Sequence, residues 1–298
     1  MKEITLEELL EAGCHFGHQV TRQNPKARDY IFEARDNIHI IDLAKTKEGL
    51  DAAAMFIKNL AQQGKNLLIV GTKRQAQGIL EEEVKRVSIE TGIPDSESGL
   101  FYITNRWVGG IMTNFAEISK NIKKLKDLII FLQSDEEKSK YTKREVGLFD
   151  KKRIKLESFY RGIAEMKGIP DAIFIVDTHL EDLAVREANA TGVTIVGITD
   201  TNADPTNINY PIPANDDAVG SIKLIINHII NAWIEGKKTK PEEKEETEGT
   251  KETKGTEEKK QKKTLKKVKS EVKSIAEPKE VKEAKNGKRK PRSTKKTS

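Results

Sequence analysis

Apolar positions recur along the first 236 residues in two alternating periods. Mainly apolar runs occupy 66–70, 171–176 and 193–198, and shorter ones sit at 30–32, 38–41, 100–103 and 210–212. Between them, spacings of three and four predict helices over 5–12, 43–63, 74–90, 180–190 and 216–234. Thr5 suits the cap of the first helix, Gly13 stops it, and Gly64 closes the second. Buried runs alternating with helices predict an α/β fold, a parallel sheet with helices on both faces. Residues 14–28 show no period and read as an irregular, basic loop.

Between 113 and 167 the pattern changes. Ile118, Ile122, Leu125, Ile129 and Leu132 form one helical stripe. A polar break follows at 133–138, then a second stripe with Val146, Leu148, Ile154, Leu156, Phe159, Ile163 and Met166 among many Lys and Arg. Each helix offers only a narrow apolar stripe, which predicts an inserted α-helical, coiled-coil-like hairpin projecting from the sheet domain. Beyond 236 the only large apolar residues are Leu265, Ile275 and three valines. Such a segment cannot offset the entropy of folding, so the expected organisation is a body over 1–236 and a disordered C-terminal tail over 237–298.

Charge sharpens that division. The chain carries +6 overall with a pI near 9.0. Residues 237–298 hold 23 basic and 12 acidic side chains, a net of +11, whereas 1–236 hold 30 and 35, a net of −5. The basicity belongs to the tail, and a lysine tail of this kind is suited to lie along a polyphosphate. The single Cys14 rules out an intrachain disulfide and a cysteine zinc cluster, and fits a reducing cytoplasm. No apolar run approaches the roughly 18 residues that span a bilayer. The opening MKEITLEELLEAG is acidic and amphipathic, unlike a signal peptide. A soluble cytoplasmic protein without a membrane partner is expected.

Three constellations could carry chemistry. Gly71-Thr72-Lys73-Arg74 follows an apolar run and opens a helix, a placement that favours phosphate. Yet GTKRQAQG lacks the Lys-Ser/Thr of the Walker pattern, and no G-x-G-x-x-G follows any strand, so no nucleotide site is expected. Asp177, Asp200, Asp204, Asp216 and Asp217 cluster at strand ends, where three or four converging carboxylates can hold Mg²⁺, with Asp177, Asp200 and Asp204 as the candidates. Ordinary turn and capping chemistry is the preferred reading there, with Asn215 or Asp216 suited to cap the last helix. His15 and His18 lie three apart, but no third ligand is evident, and no catalytic triad can be proposed. Neither an enzyme, a metal, a cofactor nor a small-molecule substrate is therefore expected.

RNA binding draws on more features. Arg22, Lys26, Arg28 and Arg35 cluster with His15, Phe16 and His18, and positive charge beside rings that stack suits unpaired RNA. Arg106-Trp107-Val108-Gly109-Gly110 offers a guanidinium, an indole and two glycines for close backbone approach, with a buried core Trp107 as the plain alternative. Lys73 and Arg74 add a further basic point.

These stretches together resemble the bacterial small-subunit ribosomal protein two. The resemblance starts at LEAGCHFGH over 10–18, with Asn24-Pro25-Lys26 and IHIIDL over 38–43. It continues through Val70-Gly71-Thr72-Lys73, Arg106-Trp107-Val108-Gly109-Gly110 with Thr113-Asn114, DTNADP over 200–205 and IPANDDA over 212–218. It implies a flavodoxin-like sheet with an inserted helical hairpin, docked on small-subunit rRNA between head and body of the subunit. It also implies contacts with other small-subunit ribosomal proteins, including attachment of ribosomal protein one. RNA contact carries over onto the 15–28 and 106–114 loops, which adds Asn24, Thr113 and Asn114 to the candidate contacts.

Overall fold

In the computed structural model, residues 3–94 and 97–239 are described. Helix α1 (Leu6–Glu11) opens with a capping box, in which Thr5 and Glu8 each satisfy the other's backbone N–H. Three short strands follow: β1 (Phe16–Gln19), β2 (Ile31–Arg35) and β3 (Ile38–Ile41). They pair antiparallel in the order β1-β3-β2. The β2–β3 connection is a two-residue turn, with Asp36 at φ 50° and Asn37 at φ 64°. Asp and Asn tolerate that left-handed conformation, which matches the twist of a hairpin.

Residues 14–28 are thus not irregular throughout. They contain β1 and two 3₁₀ segments, Val20–Arg22 and the start of Pro25–Tyr30. Four residues of mixed polarity make a weak local signal, and β1 exists only through its pairing with β3.

The body is a five-stranded parallel sheet built from β4 (Leu67–Val70), β5 (Leu100–Ile103), β6 (Ala172–Ile175), β7 (Thr194–Thr199) and β8 (Tyr210–Pro213). Its order is β5-β4-β6-β7-β8, the flavodoxin-like winding in which direction reverses between β4 and β6. Alternate residues supply two cores. Leu67, Ile69, Phe174, Val196 and Ile198 face α2 (Leu43–Gln62), α3 (Arg74–Thr91) and α8 (Val219–Lys238), where Leu50, Ile57, Leu80, Ile229 and Trp233 meet them. Leu68, Val70, Ile173, Ile175 and Ile195 face the other way, onto Ile111, Ile118, Ile122, Ile163 and Ala184. Side chains pointing to opposite faces of strands buried on both sides account for this division.

The inserted hairpin consists of α4 (Phe115–Gln133), the single turn α5 (Asp135–Lys138) and α6 (Lys143–Tyr160). Ile118, Ile122 and Leu125 at the start of α4 belong to the second core, so the near half of the hairpin is an ordinary layer on the sheet. The far half has its own closure. Phe131, Tyr141 and Phe149 meet edge to face with centroids 5.3–5.5 Å apart, a favoured aromatic geometry. Helix α7 (Asp182–Thr191) ends on Gly192 at φ 73°.

The last helix begins at Val219 rather than near 216, and neither Asn215 nor Asp216 is its cap residue. Asn215 Oδ1 instead accepts from the N–H groups of Asp217 and Ala218, folding a turn ahead of the helix. The helix also runs through the expected body–tail boundary to Lys238. The expectation of a disordered tail falls on 240–298, outside the described residues. No helix among the described residues is long and apolar enough to cross a membrane.

Candidate nucleic-acid interface

In a doubly wound sheet, ligands meet the carboxyl ends of the strands at the point where the winding reverses. Here Gly71, Thr72 and Lys73 follow β4, and Val176 and Asp177 follow β6. An internal ion cluster sits at these strand ends. Lys73 Nζ lies 2.8 Å from carboxylate oxygens of each of Asp177, Asp216 and Asp217, and donates to the Asp216 carbonyl at 2.9 Å. Its side chain is only 13% exposed. Lys73, expected to face RNA, is therefore committed to the interior.

The electrostatics follow from that enclosure. Burial alone would lower the Lys73 pKa, but the surrounding carboxylates outweigh it and hold the ammonium well above its usual range. Burial, with Asp177 and Asp200 as like charges, pushes Asp216 up to about 7. Asp217 is held low, chiefly by its hydrogen bond from Lys73.

Strand β1 brings His18 to the same cluster. Gly17 lies flat against Thr201, where a Cβ would come within 2.7 Å of Thr201 Cγ2. The His18 amide donates to Thr201 Oγ1 at 2.9 Å. Its ring sits with Nδ1 3.1 Å from Asp200 and Nε2 3.6 Å from Asp217. The Asp200 hydrogen bond is the largest cause of a raised His18 pKa. His15 points elsewhere, its ring against Phe16 with centroids 3.9 Å apart.

Among the described residues, His18, Asp200 and Asp216 each offer one ligand atom within 4.8 Å of the others. Asp216 Oδ2 is buried there without a hydrogen-bond partner. This donor set suits a divalent ion that accepts imidazole better than Mg²⁺, which prefers all-oxygen ligands. The three Mg²⁺ candidates Asp177, Asp200 and Asp204 do not come together. Asp177 serves Lys73, and Asp204 pairs on the surface with Lys26 at 2.6 Å. Only Asp200 joins the group.

The remaining candidates divide by exposure. Arg22, Lys26, Arg28, Arg35, Arg74, Arg106, Thr113 and Asn114 are exposed, and Phe16 is 49% exposed. Arg28, Arg35 and Arg74 make no ion pair among the described residues, while Arg22 and Arg106 lie near enough to Asp217 and Glu181 to act on them electrostatically. Asn24 is a capping residue: its Oδ1 accepts from the Lys26 amide, and its own amide binds the Thr201 carbonyl. Trp107 is 5% exposed and its Nε1 donates to Glu187 at 3.2 Å, so the core alternative holds and its ring is unavailable for stacking.

Two contributors carry little sequence signal. Phe32, 72% exposed, is the extra residue of a β-bulge on edge strand β2, between the pairs Ile31–Ile41 and Glu33–Ile40. Glu187 looks like any helix carboxylate, yet it is 6% exposed and bound to the 106–114 loop. Nothing local marks either; the bulge and the burial arise from pairing across the fold.

Residues 9–236 match the family described as Ribosomal protein S2. The chain is 43% identical over 244 residues to the small ribosomal subunit protein uS2 of Coprothermobacter proteolyticus, a match covering 80% of this chain and 84% of that one. It is 45% identical over 242 residues to the uS2 protein of Petrotoga mobilis, covering 81% and 80%. The corresponding protein of Fusobacterium nucleatum subsp. nucleatum is 42% identical over 238 residues, covering 80% and 92%. Matched along most of its length, and matching relatives along most of theirs, the chain belongs to the ribosomal protein S2 family.

Proposed function

We propose that this ribosomal protein is a structural constituent of the small ribosomal subunit that docks on small-subunit rRNA through the rim at the carboxyl ends of its sheet, and that it catalyses no reaction. One observation carries the reading. Three carboxylates of that rim, Asp177, Asp216 and Asp200, turn inward onto Lys73 and His18, while Arg22, Arg74 and Arg106 remain exposed. A body with net charge −5 can in this way present cations where phosphate would approach. At the strand ends where an enzyme of this fold would take a nucleotide, the Lys73 ammonium is already engaged by Asp177 and Asp216.

Arg28, just before the three-stranded sheet, and Arg35, on its strand β2, are further exposed cations, and Phe16 and Phe32 of that sheet present exposed rings. Those rings are available either to stack on unpaired bases or to meet a protein neighbour. Other small-subunit proteins, including ribosomal protein one, complete the proposed partner set. The proposed location is cytoplasmic and ribosome-bound, with residues 237–298 adding unspecific cationic contact.

Sedimentation tests the proposal. The intact chain should travel with the small-subunit peak of a sucrose gradient at moderate salt, and an Arg74→Glu/Arg106→Glu double variant should shift toward the free fraction. An intact chain missing from that peak, or a double variant that stays fully bound, would defeat it.

A further inference from the structure

The 106–114 loop is organised by one carboxylate that belongs to another element. Glu187 lies in the middle of α7, buried beneath the loop. Its Oε1 accepts from Trp107 Nε1 at 3.2 Å and from the Gly110 amide at 2.8 Å. Its Oε2 accepts from the Met112 amide at 3.2 Å, the Thr113 amide at 3.4 Å and the Thr113 hydroxyl at 3.2 Å. All five donors come from a stretch of seven residues. Burial alone would raise the pKa of Glu187, but these donors outweigh it and lower the value, so the group is ionised at neutral pH.

This geometry revises the role of the glycine pair. Gly110 sits at φ 93°, a conformation that side chains resist, and there its N–H turns inward to the carboxylate. The amides of 110, 112 and 113 are all spent on Glu187 or its immediate turn, so they are not offered to phosphate. What the loop shows outside is Arg106 at its start, Gly109 at its middle, and Thr113 and Asn114 at its end. The Asn114 amide closes the turn onto the Gly110 carbonyl at 2.8 Å.

We propose that Glu187 is a positioning residue for RNA docking: it touches no RNA, but it fixes the spacing and direction of Arg106 and Asn114 by gathering the loop's donors on one buried charge. This rests on the reading that the 106–114 loop meets rRNA. A loop held in its bound shape loses less conformational freedom on association, which raises affinity without a new contact.

Glu187→Gln keeps the shape of the side chain, removes its charge and sets an NH₂ against inward-pointing N–H groups. Binding of the full chain to transcribed small-subunit rRNA would be measured against salt, beside Arg106→Ala and Asn114→Ala. The indole N–H resonances of Trp107 and Trp233 would be followed in the free proteins. In Glu187→Gln the Trp107 resonance should move and that of Trp233 should not. Affinity should fall about ten-fold, at a temperature where melting curves show the variant fully folded. The slope of log affinity against log salt should stay at the wild-type value, because no cation is lost, whereas Arg106→Ala should flatten it by roughly one unit.

Glu187→Gln binding within two-fold of wild type, or an unmoved Trp107 resonance, overturns the proposal. Wild-type affinity in both Arg106→Ala and Asn114→Ala overturns the underlying assignment of the loop to RNA as well, and is told apart by those two variants alone.

Discussion

Lys73 is the cation at the centre of the strand-end cluster, and replacing it with Met tests the electrostatic account most directly. Met keeps the length of the side chain and removes the charge. It leaves Asp177 and Asp216, whose side chains are 8% and 1% exposed, without their shared counter-ion. Removing one partner of a buried pair costs roughly 3–5 kcal/mol, because the other charge is stranded out of water. Asp217 is 59% exposed and adds little to that figure. For a domain of this size, 1 kcal/mol corresponds to about 2–4 °C in Tm, so Lys73→Met should melt roughly 6–20 °C below wild type at pH 7.5.

The pH dependence fixes the sign. Without Lys73, which opposes the shift, the folded-state pKa of Asp216 rises further above its unfolded value. The folded state then binds that proton more readily than the unfolded one, so its stability grows as pH falls through the raised value. The deficit of Lys73→Met should therefore shrink between pH 8 and pH 5. Circular dichroism melts across that range provide the assay. A variant within about 2–4 °C of wild type at pH 7.5, or a deficit that widens on acidification, would refute the account of Lys73 as counter-ion to buried carboxylates.

Three further outcomes are expected. Thr142→Ala removes a capping box in which Thr142 and Glu145 satisfy each other's amides, and should cost about 1 kcal/mol in denaturant titrations; an unchanged midpoint would mean that the α6 terminus frays in the folded state. Gly236→Ala would place a Cβ 2.4 Å from the Lys58 carbonyl and 2.7 Å from Ala61 Cβ. It should destabilise by about 1–3 kcal/mol, and a neutral result by calorimetry would contradict the close α2–α8 packing. Deleting 259–298, which hold 17 basic and 4 acidic residues, should weaken rRNA binding and flatten its salt dependence; an unchanged slope in filter-binding assays would show that the tail points away from RNA.

The parts of the fold legible from sequence are those whose signals are local and repeated. Strands β4, β6 and β7 are buried throughout or nearly so, and they stand out as apolar runs between helical periods. Ile118, Ile122 and Leu125 announced α4, although their stripe did not say that it packs on the sheet rather than only on α6. The site was less legible because its partners are remote in sequence. Lys73 after a strand has the sequence of a phosphate contact, and the acids that claim it lie 104 to 144 residues further on. Trp107 beside Arg106 has the composition of a stacking pair, yet a carboxylate 80 residues away binds its N–H and leaves only the arginine outside.

The seam between the two ends of the described chain bears on the timing of folding. The Asn215 amide bonds the Cys14 carbonyl, the Asn24 amide bonds the Thr201 carbonyl, and Gly17 rests on Thr201. Helix α8 approaches α1 so closely that a Cβ on Gly220 would come within 2.7 Å of the Ala12 carbonyl. The basic segment over 14–28, made early in synthesis, is thus shaped by contacts made almost last. At typical synthesis rates of about 5–20 residues per second, roughly 10–40 s separate the two. During that interval the basic segment lacks these partners, and it gains the last of them only when the final β-α unit of the sheet arrives.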